Sequence, residues 1–480
     1  MTEPRPFWVA GHERTGSTTV DVTNPYDGSI VGSLWVPEPQ DVEEAVAAAD
    51  AAQQAALATT AAQRAAALLH VSEQLAARHD EMADLITAEN GKPLMWSRIE
   101  VTRAVSTFRW AAEETRRWSG ELQRLDTDPA AAGRMALIRR YPHGPILGVA
   151  PFNFPLNLVA HKVAPALAVG APVIVKPAPA TPLTALLLGE ILSETDLPDG
   201  MWSVLPLGNP ETAALVSDPR LPVISFTGSE TVGYHIQSEE PGKHVILELG
   251  GNAAAVVLDD WSSDDDLAWA ASRIATFGNY QAGQSCISVQ RVLVDDAIYD
   301  DFVPRLVDAV TALPTGSPWD PDVVVGPVIN AAAADRIEQW IADARANGAT
   351  VLTGGTRDGN TVAPTLLENV PADAEVSCEE VFGPVMVLVR VAGVDDALAT
   401  VNDSRFGLQT GVFTHDLKTA FRAQRDLQVG GVIIGDVPSF RADQMPYGGV
   451  KASGFGREGL RSAMEDFTHD RVLVLTGIDL

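Results

Sequence analysis

The chain has 480 residues and a formal net charge of -29. That length exceeds what one hydrophobic core serves, so two or three packed units with a cleft between them are expected. The acidity excludes nucleic acid and anionic membranes as partners, and two cysteines, Cys286 and Cys378, are too few for a disulfide framework.

Met1 to Pro6 lack the basic head and apolar core of a signal peptide, which with the free cysteines points to a cytoplasmic setting. Alanine-rich periodic stretches at 41–58, 60–87 and 99–122 predict helices, with Asn90-Gly91-Lys92-Pro93 as a helix stop. The apolar region 145–175 is interrupted by Asn153, Asn157, His161, Lys162 and prolines, so it reads as protein interior rather than a membrane span. From Ile146 onward, short strands (172–175, 223–226) alternate with helices (184–194, 230–237), the pattern of parallel βα units buried on both faces. After Gly251 the alternation resumes, with helices at 264–277, 297–311 and 331–347 and strands at 289–294 and Val385–Val391, giving a second α/β unit. The closing strand 471–475 has no partner in its neighbourhood and is expected to pair with another subunit. Without linkers or low-complexity tracts, the units are expected to pack together.

Cys286 lies in a Gly- and Ser-rich loop, from Phe277 to Ser288, just before a strand. A nucleophile suits that place, and so does a small buried hydrophobe. Asn153 inside an apolar run must be paired or pay desolvation, whether it forms a turn or holds a ligand. Gly228-Ser229-Glu230-Thr231-Val232-Gly233 follows a strand and opens a helix, so its N–H groups suit a pyrophosphate, although the spacing is not G-x-G-x-x-G.

Seven motifs occur in order: Pro151-Phe152-Asn153-Phe154-Pro155, Val175-Lys176-Pro177, Phe226-Thr227-Gly228-Ser229, Leu247-Glu248-Leu249-Gly250-Gly251-Asn252, Gly283-Gln284-Ser285-Cys286, Glu379-Glu380-Val381-Phe382-Gly383-Pro384 and Pro446-Tyr447-Gly448-Gly449. As an ordered set they resemble the aldehyde dehydrogenase superfamily over nearly the whole chain, nearest to its non-acylating lactaldehyde and semialdehyde dehydrogenase-like members. The resemblance implies an α/β fold: a Rossmann-type cofactor domain at 1–121 and 143–249, an α/β catalytic domain at 250–450, and a small β oligomerisation element at 122–142 and 464–480. It further implies NAD(P)-dependent oxidation of an aldehyde to its acid through a thiohemiacetal and a thioester on Cys286. Asn153 and the Cys286 N–H would hold the oxyanion, Glu248 would activate the hydrolytic water, and Lys162 and Glu458 match a proton path from that base. No metal is expected.

Phe152, Lys176, Pro179, Gly228, Ser229, Gly233, Leu249, Glu380 and Phe382 match the family's cofactor positions. Pro179 stands where NAD-preferring members often carry a glutamate, so NAD and NADP both stay open, and Phe152 stands where many carry tryptophan. The substrate positions fall on Phe154, Asn157, His161, Ser285, Ile287 and the Ser439–Tyr447 loop with Phe440 and Arg441, a polar set that implies a small polar aldehyde. Arg441 is read first as an exposed loop arginine and second as a carboxylate anchor, and Cys378 as a packed thiol. A homodimer or homotetramer is implied. The alternatives are a coenzyme A-acylating enzyme, disfavoured by Glu248, a catalytically silent structural member, and a cofactor-free cysteine hydrolase, which would want a histidine beside the thiol.

Overall fold

The computed structural model describes residues 3–477. Its first helices follow the alanine periodicity, but the stretch expected as one helix at 60–87 is two, Ala61–Ala77 and His79–Asn90. Thr60 and Gln63 cap the first reciprocally, and the chain breaks at Arg78, whose guanidinium is drawn onto Glu81 and Glu190. The next helix, Leu94–Arg117, stops short of the expected 122 because Glu121–Arg124 pairs as a strand with Arg134–Pro142. Gly120 permits that approach: a Cβ there would lie 2.2 Å from the Ile138 carbonyl oxygen.

Valine, isoleucine and leucine runs build an eight-stranded sheet in the order His12–Arg14, Phe7–Val9, Trp202–Val204, Val173–Lys176, Ile146–Val149, Val223–Thr227, His244–Glu248 and Gly454–Phe455. The five strands from Trp202–Val204 to His244–Glu248 run parallel and are buried on both faces, as a sheet covered by helices requires. Helix Asn157–Val169, from the polar-interrupted apolar region, is buried along its whole length. The strand order reverses beside Ile146–Val149, and the crevice at the carboxyl ends of such strands is where α/β sheets hold ligands. Those ends carry Asn153, Lys176, Gly228 and Glu248.

A second, seven-stranded sheet is parallel except for its edge strand Thr350–Thr353. It contains the expected strand Val385–Val391, and it holds Arg291–Asp295 directly after the Cys286 loop. The closing strand corrects the expectation made for it: Thr468–Thr476 pairs along its full length with Arg134–Pro142 of its own chain, from Thr468 opposite Pro142 to Thr476 opposite Arg134. A partner so distant in sequence leaves no local signal. Leu460, Met464 and Phe467 pack into the core of the first sheet, so the small three-stranded sheet begins after them. Residues 478–480 of the expected oligomerisation element lie outside the described residues. Among the described residues no helix is long and apolar enough to cross a membrane.

Candidate active site

Helix Asp264–Asn279 ends at a strained turn: Gln281, Ala282 and Gly283 follow with φ of 42°, 58° and 67°. Non-glycine residues there cost about 1–3 kcal/mol each and persist only when their surroundings dictate it. They do here: Gln281 Nε2 donates to the Gln284 carbonyl at 2.9 Å, Ile329 N donates to Gln284 Oε1 at 2.9 Å, and a Cβ on Gly283 would meet the Gly383 carbonyl at 2.1 Å. The turn presents Cys286 to a cleft of about 1020 Å³ between the two large sheets. The Cys286 sulfur lies 3.1 Å from the Tyr447 hydroxyl. Desolvation pushes the thiol up to about 12, and the Glu380 and Glu248 charges push the same way.

Asn153 faces the same cleft and donates Nδ2 to the Gln284 carbonyl at 3.0 Å. Its loop is pinned from the turn after His79–Asn90: Asn90 Nδ2 donates to the Phe152 carbonyl and Lys92 Nζ to the Asn153 carbonyl, both at 2.7 Å. Lys92 also pairs with Glu100, and both side chains are fully buried. Glu100 Oε1 accepts from the backbone N–H groups of Leu156 at 2.9 Å and Asn157 at 3.1 Å, which fixes the start of helix Asn157–Val169.

Glu248 ends its strand with both carboxylate oxygens buried and without a hydrogen-bond partner among the described residues. Burial first, then the nearby Glu458 charge, holds its carboxyl well above the ordinary range. Glu458 goes the other way: burial would raise it, but Arg441 at 2.9 Å and Lys162 at 3.7 Å outweigh that and hold it at about 2. Lys162 Nζ also donates to Thr227 Oγ1 at 2.8 Å and Ser225 Oγ at 3.1 Å. The structure thus brings Lys162, Glu458 and Glu248 into one buried group.

The other half of the cleft is lined by Phe152, Lys176, Pro179, Gly228, Ser229, Leu249, Glu380 and Phe382. Gly233 lies beneath it, where a Cβ would come 2.5 Å from Leu249, so glycine lets helix Glu230–Glu239 seat against the sheet. Ser229 precedes that helix and makes no side-chain cap, which leaves its hydroxyl open to the cleft. Lys176 is buried and its ammonium makes no hydrogen bond among the described residues; burial lowers it to about 8. Glu380 accepts from Gly251 N at 2.9 Å and is pushed up to about 7 by desolvation, while Phe152 and Phe382 meet edge to face at 5.7 Å. A helix N-terminus, a cation without a partner, a carboxylate and two aromatic faces form the donor set that a dinucleotide's phosphates, ribose hydroxyls and ring require.

Phe154, Asn157, Ser285, Ile287 and Arg441 line the end of the cleft that holds Cys286. His161 does not reach its wall; it is buried behind, with Nε2 3.1 Å from Asp443 Oδ1. The first reading of Arg441 is corrected: its side chain is only 6% exposed, held by Glu458 and stacked 4.0 Å from the Tyr447 ring centroid. Gln409 Nε2 turns that loop inward by donating to the Pro438 and Phe440 carbonyls. Arg103, on helix Leu94–Arg117, was not singled out in the sequence because nothing in a helical pattern separates it from a solvated face. It reaches the same wall and pairs with Asp443 at 2.9 Å. Each arginine keeps a buried Nε with no hydrogen-bond partner among the described residues. Lys92, read only as part of a helix stop, was also missed as a site residue, and Tyr447 was seen only within a motif and not as a neighbour of the thiol. The thiol's hydrogen-bond partner is Tyr447 and not a histidine, and Cys378 lies away from the cleft, 3.6 Å from the Asp373 carbonyl.

Residues 8–473 match the family model described as the aldehyde dehydrogenase family. The chain is 39% identical over 470 residues to the 3-sulfolactaldehyde dehydrogenase of Priestia megaterium, covering 98% of this chain and 97% of that one. Among solved structures it superposes with a TM-score of 0.96 and 41% identity, over 99% of both chains, on aldehyde dehydrogenase 21 from Physcomitrella patens in complex with the reaction product succinate. It superposes with a TM-score of 0.93 and 33% identity, over 99% of this chain and 100% of the other, on the NADP-dependent glyceraldehyde-3-phosphate dehydrogenase of Bacillus halodurans complexed with NADP. With its motifs, fold and cleft in agreement with these matches, the chain belongs to the aldehyde dehydrogenase family.

Proposed function

We propose that the protein oxidises a small anionic aldehyde, one carrying a carboxylate or sulfonate, to its acid. The observation that carries this reading is the pair of guanidinium groups, Arg103 and Arg441, on the wall of the cleft near Cys286. Asp443 and Glu458 each take one terminal nitrogen of these guanidiniums, and an anion would accept from the N–H groups that remain. The sulfolactaldehyde and succinate in the names of two relatives support the same chemistry.

Cys286 adds to the aldehyde carbon as the thiolate, and the carbonyl oxygen gains negative charge. Asn153 spends one amide hydrogen on Gln284 and turns the other, with the Cys286 N–H, to that oxygen. Phe152, Lys176, Ser229, Glu380 and Phe382 would hold NAD or NADP, which when bound supplies the hydride acceptor. Pro179 puts no carboxylate beside Lys176, so either cofactor is admitted. Glu248, made basic by burial, takes a proton from the water that cleaves the thioester, and the Lys162, Thr227 and Glu458 group relays it. The enzyme works in the cytoplasm as a homodimer or homotetramer, supported by an uncovered apolar sheet surface at Val472, Leu473 and Val474.

The test is cofactor reduction with matched aldehydes, such as succinic semialdehyde against butanal, each with NAD and with NADP. The anionic member is expected to have the higher kcat/KM by at least about tenfold, the worth of roughly 1.4 kcal/mol. Arg103→Met should shrink that ratio, and Cys286→Ala should abolish turnover. Highest efficiency with long uncharged aldehydes would overturn the substrate reading, and an acyl thioester formed on adding coenzyme A would overturn the hydrolytic one.

A further inference from the structure

The Tyr447 hydroxyl, 3.1 Å from the Cys286 sulfur, makes no other hydrogen bond among the described residues. The side chain is buried, so without that contact the hydroxyl would bear its full desolvation cost. A phenylalanine would fill the same space and stack on Arg441 equally well without that liability. The hydroxyl is also fixed in place. Tyr447 N donates to the Glu458 carbonyl at 3.0 Å and Glu458 N donates back at 2.7 Å, an isolated bridge that ties the tyrosine to the buried charged group.

We propose that Tyr447 is a catalytic residue whose hydroxyl donates a hydrogen bond to the Cys286 sulfur and stabilises the thiolate that attacks the aldehyde. This rests on the reading of Cys286 as the nucleophile. Around the sulfur, the Glu380 and Glu248 carboxylates oppose a negative charge, and Arg441 and the Tyr447 hydroxyl favour it. Tyr447 is the sulfur's one hydrogen-bond partner among the described residues, and once the sulfur has lost its proton the hydroxyl can only donate to it. When the thiol ionises, its proton goes to the Glu248 carboxylate or to solvent. The phenol keeps its own proton, because burial and the adjacent sulfur hold its ionisation well above the tyrosine range. Lowering the pKa of so weak an acid favours attack: each unit gives about ten times more thiolate and costs about threefold in intrinsic nucleophilicity.

The test is the rate of alkylation by iodoacetamide against pH, in a Cys378→Ser background so that Cys286 is the only thiol, without aldehyde or cofactor. Tyr447→Phe is expected to move the midpoint up by about one unit and to slow alkylation at pH 8 by about three- to tenfold. Replacing Tyr447 by 3-fluorotyrosine, a stronger donor, should move the midpoint down. Superimposed profiles for the wild type and Tyr447→Phe, or shifts of the same sign for both replacements, overturn the proposal. Failure of the nucleophile reading shows separately, as turnover retained by Cys286→Ala.

Discussion

Glu380 gives the cleft a measurable pH signature. Its carboxyl is pushed up to about 7 from an ordinary 4.5, chiefly by desolvation, and the fully buried Glu89 is pushed to about 7 in the same way. Between pH 4.5 and 7 each group holds a proton in the folded chain that the unfolded chain has released. Stability is therefore highest at the acid end of that window and is lost as pH rises through it. For Glu89 the loss is about 3 kcal/mol, and for Glu380 it is smaller because water in the cleft screens the charge. Glu380→Gln keeps an acceptor for the Gly251 N–H and removes the titration. Urea unfolding at pH 5 and pH 7 should show the variant losing less stability than the wild type over that interval; equal losses would mean that Glu380 titrates in its ordinary range.

At the scale of elements, the turn after His79–Asn90 acts on the cleft without lining it at Lys92. Asn90 and Lys92 hold consecutive carbonyls of the Asn153 loop, and Glu100 holds the N–H groups that begin the next helix. Lys92→Met alone would strand a buried Glu100 at about 3–5 kcal/mol, so the informative variant is Lys92→Met/Glu100→Gln. It should lower kcat about tenfold with little change in KM, because misplacing an oxyanion donor weakens transition-state contacts more than ground-state ones. In an Asn153→Ala background the same pair should have almost no effect on kcat; independent, multiplicative losses would show that the turn does not act through Asn153. This turn also marks where sequence reading stops. Periodicity carried the alternating helices and strands, and Val385–Val391 was legible because its apolar run matches one buried strand. The break at Arg78, which pairs with Glu81 and Glu190, was hidden because no glycine or proline marks it. Cys286, Asn153 and Glu248 stood out through their motifs, whereas Arg103 and the burial of Arg441 depend on pairings with Asp443 and Glu458 that no local pattern encodes.

The whole molecule carries a formal charge of -29, yet it leaves an apolar surface open on its small sheet. Leu122, Leu137 and Leu473 stand opposite one another across its three strands, and Leu122 and Leu473 are 58% and 56% exposed. Val472 and Val474 are exposed as well, and alternation along a strand sends them to the opposite face from Leu473. A sheet uncovered on both faces, with the outer edge of Thr468–Thr476 unpaired among the described residues, gains from a second copy of the chain. Covering each leucine is worth about 1.5–3 kcal/mol. Leu122→Glu/Leu473→Glu should therefore dissociate the proposed oligomer while leaving each chain folded, since neither side chain contributes to a core. Light scattering behind size exclusion would read the change as a fall in mass to that of smaller species. Because two chains of like charge repel, added salt should strengthen wild-type association. An unchanged mass in the double variant would move the contact off this sheet, and a wild-type mass of one chain at all protein concentrations would remove the oligomer itself.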